Sequence, residues 1–300
     1  MAYDPGTYTG FGHRAYNWEF SAGIQQQLAP RVSADVAYFR RVYGNLLVTD
    51  NRALTPADYD RYSITAPLDP RLPNGGGYVI SDLYDLKPEK VAGGTVVNNL
   101  ETFASNFGDQ IEHWNGVDVN VSARLPQGMT VQGGFSTGRT MTDNCDVVTK
   151  VDNPSPLYCH VQTNFLTDAK AVASYTIPRV DVRLSGTFQS IAGPPISALY
   201  VVSNAEVMKS LPRGLSGGRT TVVVNLVAPG TMYGERLNQV DLRFSKLFRF
   251  GRSRITANLD IYNALNSDTV LRQSNAFGNW QTPFALIAAR FAKIGVQADF

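Results

Sequence analysis

The sequence predicts an all-β fold, a portion of an antiparallel transmembrane β-barrel with about nine long meander strands, short turns at one end and long loops at the other. Three observations predict it. Apolar residues recur at every second position through long segments. The segments run about 11–17 residues, longer than the usual strand of about 5–6. The connections between them alternate between a few residues and about 20 to 65, and soluble domains rarely tolerate repeated structureless connections of that length.

The strands are predicted at about 14–28, 31–43, 110–125, 128–142, 163–177, 180–191, 236–249, 253–264 and 284–300. In the first, Tyr16, Trp18, Phe20, Ala22 and Ile24 alternate with Asn17, Glu19, Ser21, Gly23 and Gln25. In the third, Val117, Val119, Val121, Ala123 and Leu125 alternate with Asp118, Asn120, Ser122 and Arg124. The sixth sets Val180, Val182, Leu184, Gly186 and Phe188 against Asp181, Arg183, Ser185, Thr187 and Gln189. The eighth sets Ile255, Ala257, Leu259 and Ile261 against Arg254, Thr256, Asn258, Asp260 and Tyr262. The last sets Ala292, Ile294, Val296, Ala298 and Phe300 against Lys293, Gly295, Gln297 and Asp299. Successive strand side chains point to opposite faces, so each segment has one apolar and one polar face.

A soluble sandwich shows the same alternation, so the connections decide. Ala29-Pro30-Arg31, Pro126-Gln127-Gly128, Pro178-Arg179 and Phe250-Gly251-Arg252 are very short turns. Between them lie connections of about 44–109, 143–162, 192–235 and 265–283. Bacterial outer-membrane barrels have this asymmetry, with short periplasmic turns and long extracellular loops. Within the loops, Tyr78-Val79-Ile80 and Thr221-Val222-Val223-Val224 are strand-like and would extend hairpins above the membrane, and Gly75-Gly76-Gly77 reads as a turn. With periplasmic short turns, the last strand ends in the periplasm. Nine is an odd count where single-chain bacterial barrels have even ones, and an open barrel would leave two unpaired edges in lipid. The expectation is therefore a truncated barrel whose earlier strands are missing.

Composition narrows the class. Lys and Arg number 27 against 25 Asp and Glu, so the clustered basic excess of a nucleic-acid binder is absent. The longest apolar run, 284–289, falls far short of the roughly 18–20 residues of a transmembrane helix. Met1-Ala2-Tyr3-Asp4-Pro5 has neither the basic nor the apolar region of a signal peptide. Either such a peptide was removed or the chain is the downstream piece of a longer protein, and the odd strand count favours the second. Cys145 and Cys159 lie 14 positions apart in a polar, turn-rich stretch. A loop disulfide would suit an oxidising compartment such as the periplasm, and two independent thiols are the alternative.

Three stretches carry a resemblance to a known family. They are 237–246 (LNQVDLRFSK), Arg254 through Asp260-Ile261-Tyr262-Asn263-Ala264-Leu265-Asn266, and Ala289-Arg290-Phe291 through Gly295-Val296-Gln297-Ala298-Asp299-Phe300. Together they resemble the carboxy-terminal barrel of TonB-dependent receptors. The stretches 37–45, 133–139 and 186–195 are similar to a subgroup in which a carboxypeptidase-regulatory-like domain precedes the plug. The resemblance covers nearly the whole chain and implies energised import across the bacterial outer membrane. A complete receptor has a 22-strand barrel, an internal plug and a box on which TonB pulls. Its substrates are scarce or bulky: ferric siderophores, cobalamin or oligosaccharides. This sequence has no plug, no box and fewer than half the strands. The implied partners are outer-membrane lipid, the barrel-assembly machinery, the TonB complex through the missing plug, and an extracellular substrate. Neither a cofactor nor nucleic acid is expected. The rival reading is a non-transporting barrel or adhesin that binds partners through its loops.

Several residues attract a specific reading. Phe300, with Ala298, Val296 and Ile294 before it, resembles the signal read by the barrel-assembly machinery; an ordinary strand end is the alternative. Asp241, Arg243, Arg254 and Asp260 are expected to face the lumen, as ion pairs or as solvated charges. Tyr16, Trp18, Tyr38, Trp114, Tyr175 and Phe248 fall near strand ends, where aromatic girdles sit. Asp50, Asp58, Asp60, Asp69, Asp82 and Asp85 read as solvated loop acids rather than a calcium loop, whose spacing they do not match. His13, His113 and His160 are far apart, and no nucleophile elbow, phosphate loop or dinucleotide fingerprint occurs, so an enzyme is not expected. A Ser or Asp beside His113 would be the place to seek one.

Overall fold

The computed structural model describes residues 1–92, 94 and 97–300. Its largest element is an antiparallel sheet of nine long strands in meander order. They are β1 (Tyr16–Ala29), β2 (Val32–Gly44), β3 (Ile111–Leu125), β4 (Met129–Asp143), β5 (Leu166–Ile177), β6 (Val182–Ile191), β7 (Leu237–Phe250), β8 (Ser253–Tyr262) and β9 (Phe291–Asp299). Each strand pairs with its neighbour in sequence, and the short segment His160–Gln162 prolongs the pairing of β4. Among the described residues β1 pairs only with β2, and β9 only with β8, so the sheet is open at both edges. No described helix is long and apolar enough to cross a membrane.

The four short connections lie at one end of the sheet. Each contains a residue in the left-handed region, Arg31, Gln127, Arg179 or Gly251, which lets the chain reverse within two to four residues. The register then fixes the faces. Ile24, Val36, Val119, Phe135 and Ala169 stand side by side across five strands. Leu184, Phe244, Leu259 and Ile294 continue the same face across the other four. The face is apolar yet uncovered: Ile24 is 75% exposed and Ile294 79%. A continuous exposed apolar face marks a surface that a membrane or a protein partner covers.

The long connections are not loose. At the other end they fold together into a head with its own core. Tyr59–Thr65 pairs with Val79–Leu86, Leu199–Ser203 with Thr221–Asn225, and Val270–Gln273 with Pro283–Leu286. Leu47–Asn51 and Ala2–Tyr3 flank Asn99–Phe103 in a small mixed sheet. Tyr62, Ile80, Val202, Leu226 and Trp280 belong to one buried cluster, which therefore draws on three separate connections. Cys145 and Cys159 form a disulfide in the head, where Val147 and Val151 pack with Ala104 in a second cluster.

Three expectations need correction. The strand expected over 284–300 is two elements, because Pro283–Leu286 belongs to a head hairpin and β9 begins at Phe291. The even-numbered apolar phase of Phe284, Leu286 and Ala288 resumes at Ala292 and Ile294, and the only interruption is Arg290 at the junction itself. Side-chain capture marks the junction: Asn263 Nδ2 donates to the Ala288 carbonyl (2.9 Å), and the Arg290 N–H donates to Asn266 Oδ1 (3.0 Å). The segments around 78–80 and 221–224 are strands, but they pair inside the head rather than extending the wall hairpins. The loop acids are not simply solvated. Asp85 is buried, meeting Arg219 and, at 2.7 Å, Arg213 Nη1. Arg213 also reaches Asp60 (2.8 Å), so the network ties two connections together. Asp58, Asp69 and Asp82 pair with Lys90, Arg71 and Arg61, and Asp50 accepts from the Asp152 N–H.

Candidate functional site

The face opposite the apolar one is the candidate site. Cavities of about 670 and 570 Å³ open along it, so this is the concave side of the wall. Its side chains are mostly amides, hydroxyls and charges, and they pair across the strands in register. Gln189 donates to Gln239 (2.7 Å), Ser136 donates to Asp118 (2.5 Å), and Ser245 donates to Asn258 (2.6 Å). Such pairs hold neighbouring strands in one register.

The four expected lumen charges all sit on this face, but they do not act as one set. Arg243 and Asp260 stand opposite each other on β7 and β8 and form a two-pronged ion pair, with Nη2 to Oδ2 at 2.9 Å. Asp241 has another use: its Oδ1 accepts from Gln239 Nε2 (2.9 Å) and from the Asn263 N–H (2.8 Å), capping the end of β8. Arg254 lies opposite Arg249 and Asp299 at the short-turn end; Arg249 pairs with Asp181 at 3.2 Å, and Arg254 has no carboxylate partner among the described residues. Ile294 and Val296 are exposed on the edge strand, on the apolar side with Ala298, and Phe300, one residue beyond β9, is exposed as well.

The aromatic residues divide between the faces. Tyr16, Trp18, Tyr38, Tyr175 and Phe248 share the apolar face, by register with residues such as Val42, Ala22, Leu184 and Ile255. Trp114 does not, contrary to its expected place in a girdle. It stands opposite Arg41 and Thr140 on the polar face. The phase of β3 already implied this, since Val117, Val119 and Val121 are odd-numbered and Trp114 is even. Its ring lies across Gly116 and Gly138, which face each other on β3 and β4. A Cβ at either glycine would come within 2.1 or 2.4 Å of ring atoms. Phe39 is beside Gly116, Glu19 pairs with Arg41, and Asp118 lies one step further along the face. None of this cluster apart from Trp114 stood out in the sequence, because its members come from four strands and no spacing links them.

The histidines are not brought together. His13 Nδ1 meets the Gly6 carbonyl (2.7 Å), His160 Nδ1 meets Asp143 (2.7 Å), and His113 contacts Asn115 (3.1 Å) on the apolar side.

No family model matches the chain, and no curated protein matches it. Among solved structures it is similar to the outer membrane transporter YddB from Escherichia coli. The TM-score is 0.50 at 13% identity, over 95% of this chain and 32% of that one. The fold is therefore that of an outer-membrane barrel wall, and the chain spans about a third of the length of the transporter it resembles.

Proposed function

We propose that this chain forms part of the wall of a transport barrel in a bacterial outer membrane, as the carboxy-terminal portion of a TonB-dependent transporter. Its role is to enclose the path of a scarce or bulky substrate whose uptake is energised through a plug. One observation carries the reading: an apolar face running unbroken across nine strands backs onto a concave polar face, with all short turns at one end. Lipid fits the first face and an aqueous lumen the second. The two open sheet edges support a larger assembly, since unpaired backbone groups are costly in hydrocarbon. The barrel-assembly machinery would read the apolar edge strand ending in Phe300, and the head would meet the substrate first.

Membrane fractionation of the native protein tests this. It should co-sediment with outer-membrane markers and come into solution only with detergent. A monodisperse, water-soluble monomer with a cooperative melt would overturn the barrel reading.

A further inference from the structure

We infer that a cross-strand row at the head end of the apolar face is a binding site for the phosphate of an anionic lipid headgroup. The inference rests on the barrel reading and assigns one specific lipid contact within it. The register sets Phe20, Arg40, Asn115 and Arg139 side by side across β1 to β4. By strand phase this is the apolar face, since the row of Ile24, Val36, Val119, Phe135 and Ala169 lies two rows nearer the short turns. Side-chain contacts agree: Tyr38 Oη and Arg40 Nη1 both donate to Asn115 Oδ1, at 2.9 and 3.4 Å. Arg139 lies over the Phe165 ring, 4.8 Å from its centre. Neither arginine has a carboxylate partner among the described residues. Glu19 and Asp118 are on the opposite face with Arg41 and Ser136, and Asp143, two rows further into the head, is held by His160.

Depth selects the partner. Arg40 stands eight residues along β2 from Val32 at the short-turn end. That is about 26 Å of strand at about 3.3 Å per residue, or about 20 Å of height at a tilt of about 40°. The apolar band of an outer-membrane barrel is about 25 Å tall, so the row lies just inside its boundary on the head side. A long arginine side chain reaches the headgroups from there, beside Tyr38 and Trp18, aromatic residues of the kind that sit at that level. A cation without a counter-charge at the edge of hydrocarbon is costly, and phosphate is the anion that lipid supplies at this depth. The guanidinium fork grips two phosphate oxygens at once. The two arginines are two strand spacings apart, about 10 Å, with uncharged Asn115 between them, so each has room for a phosphate of its own. A zwitterionic headgroup would bring its own cation against them, so the row favours lipids of net negative charge.

The test uses the full chain reconstituted in phosphatidylcholine vesicles, with spin-labelled phosphatidic acid and spin-labelled phosphatidylcholine as probes of the lipid shell around it. Electron paramagnetic resonance reads the relative association of the two lipids. The expected result is a preference of about five-fold for phosphatidic acid that weakens as salt is added. Arg40→Gln combined with Arg139→Gln should abolish the preference. Lys246→Gln should leave it in place, because Lys246 lies at the short-turn end of the same face and donates to the Val180 carbonyl. Each single arginine variant should weaken the preference about two-fold, and the single variants decide the matter if the double one does not fold. Three results overturn the inference: no preference in the unaltered chain, a preference unchanged in the arginine variants that fold, or one lost in Lys246→Gln instead. Displacement of the bound lipid by millimolar inorganic phosphate also overturns it, since the row would then be a site for a soluble anion. A chain that inserts into vesicles without preferring the anionic lipid overturns this inference alone, whereas one that stays in the water phase overturns the barrel reading beneath it.

Discussion

The wall and the head of this molecule bury apolar surface in opposite ways. In the head, side chains from separate connections converge, and Val202, Val207 and Ala198 are fully covered by protein. In the wall, side chains of the same types lie outward, and Val296 and Leu28 are 70% and 64% exposed. All the buried apolar residues of the described chain lie in the long connections rather than in the nine wall strands. The two regions are thus adapted to different solvents. The head folds against water by excluding it, whereas the wall relies on backbone pairing and leaves its apolar face uncovered, which in the proposed barrel is the face that meets lipid.

The largest expected effect lies in the head. Trp280 is 2% exposed, its Nε1 donates to the Ser197 carbonyl (2.8 Å), and Phe277 packs against it. Trp280→Ala should cost about 3–5 kcal/mol of head stability through lost contacts and the cavity left behind. Limited proteolysis in detergent should then cut the connections around 192–236 and 263–290 while the wall strands stay protected. Wall and head cleaved together would show that they form one cooperative unit.

A matched pair of substitutions in the wall sharpens the contrast. Phe135 stands on the apolar face of β4 and Gln132 on its polar face, three residues away. In the proposed barrel, Phe135→Arg puts a charge toward the middle of the hydrocarbon and should cost about 2–4 kcal/mol in a bilayer. Gln132→Arg, bordering the cavity on the polar face, should cost well under half of that. Urea titration of both variants in lipid vesicles gives the difference directly. Equal losses would mean that the two faces meet the same medium.

How much of this was legible in the sequence follows from the same contrast. Wall strands advertise themselves locally, because period-two alternation is a property of one segment at a time. The nine strands, their faces and the end carrying the short turns could be read from it, and the phase of Trp114 was in the sequence although its aromatic character drew it toward a girdle. The head is different. The pairing of 59–65 with 79–86, the Asp60–Arg213–Asp85 network and the convergence of three connections on Trp280 are contacts between residues far apart in sequence, with no periodic signature. The connections therefore read as loops. The cluster around Trp114 was hidden for the same reason, since its residues come from four strands, β1 to β4.

The smallest effect is a pH dependence confined to the head. Ser203 caps the short helix Asn204–Val207, and Glu206 reaches back to the Ser203 N–H at 3.0 Å. Tyr200 donates its hydroxyl to Glu206 Oε1 at 2.6 Å. This bond holds the Glu206 carboxyl below its ordinary value of 4.5 and pushes the Tyr200 hydroxyl up to about 12. The signs follow from linkage. Glu206 binds its proton less readily when folded, so its contribution is complete above about pH 4.5 and is lost as the pH falls through the lower folded value. Tyr200 holds its proton more firmly when folded, so its contribution is complete below pH 10 and is lost as the pH rises toward about 12. Head stability should therefore show a plateau between these limits, with a shallow decline on each side. Tyr200→Phe removes the shared hydrogen bond and should flatten both declines together. Ser203→Ala should cost about 1 kcal/mol, as loss of a helix cap does, while leaving the alkaline decline in place. Thermal melts followed by near-ultraviolet circular dichroism across the pH range distinguish the two variants, and an alkaline decline unchanged in Tyr200→Phe would assign it to another tyrosine of the head.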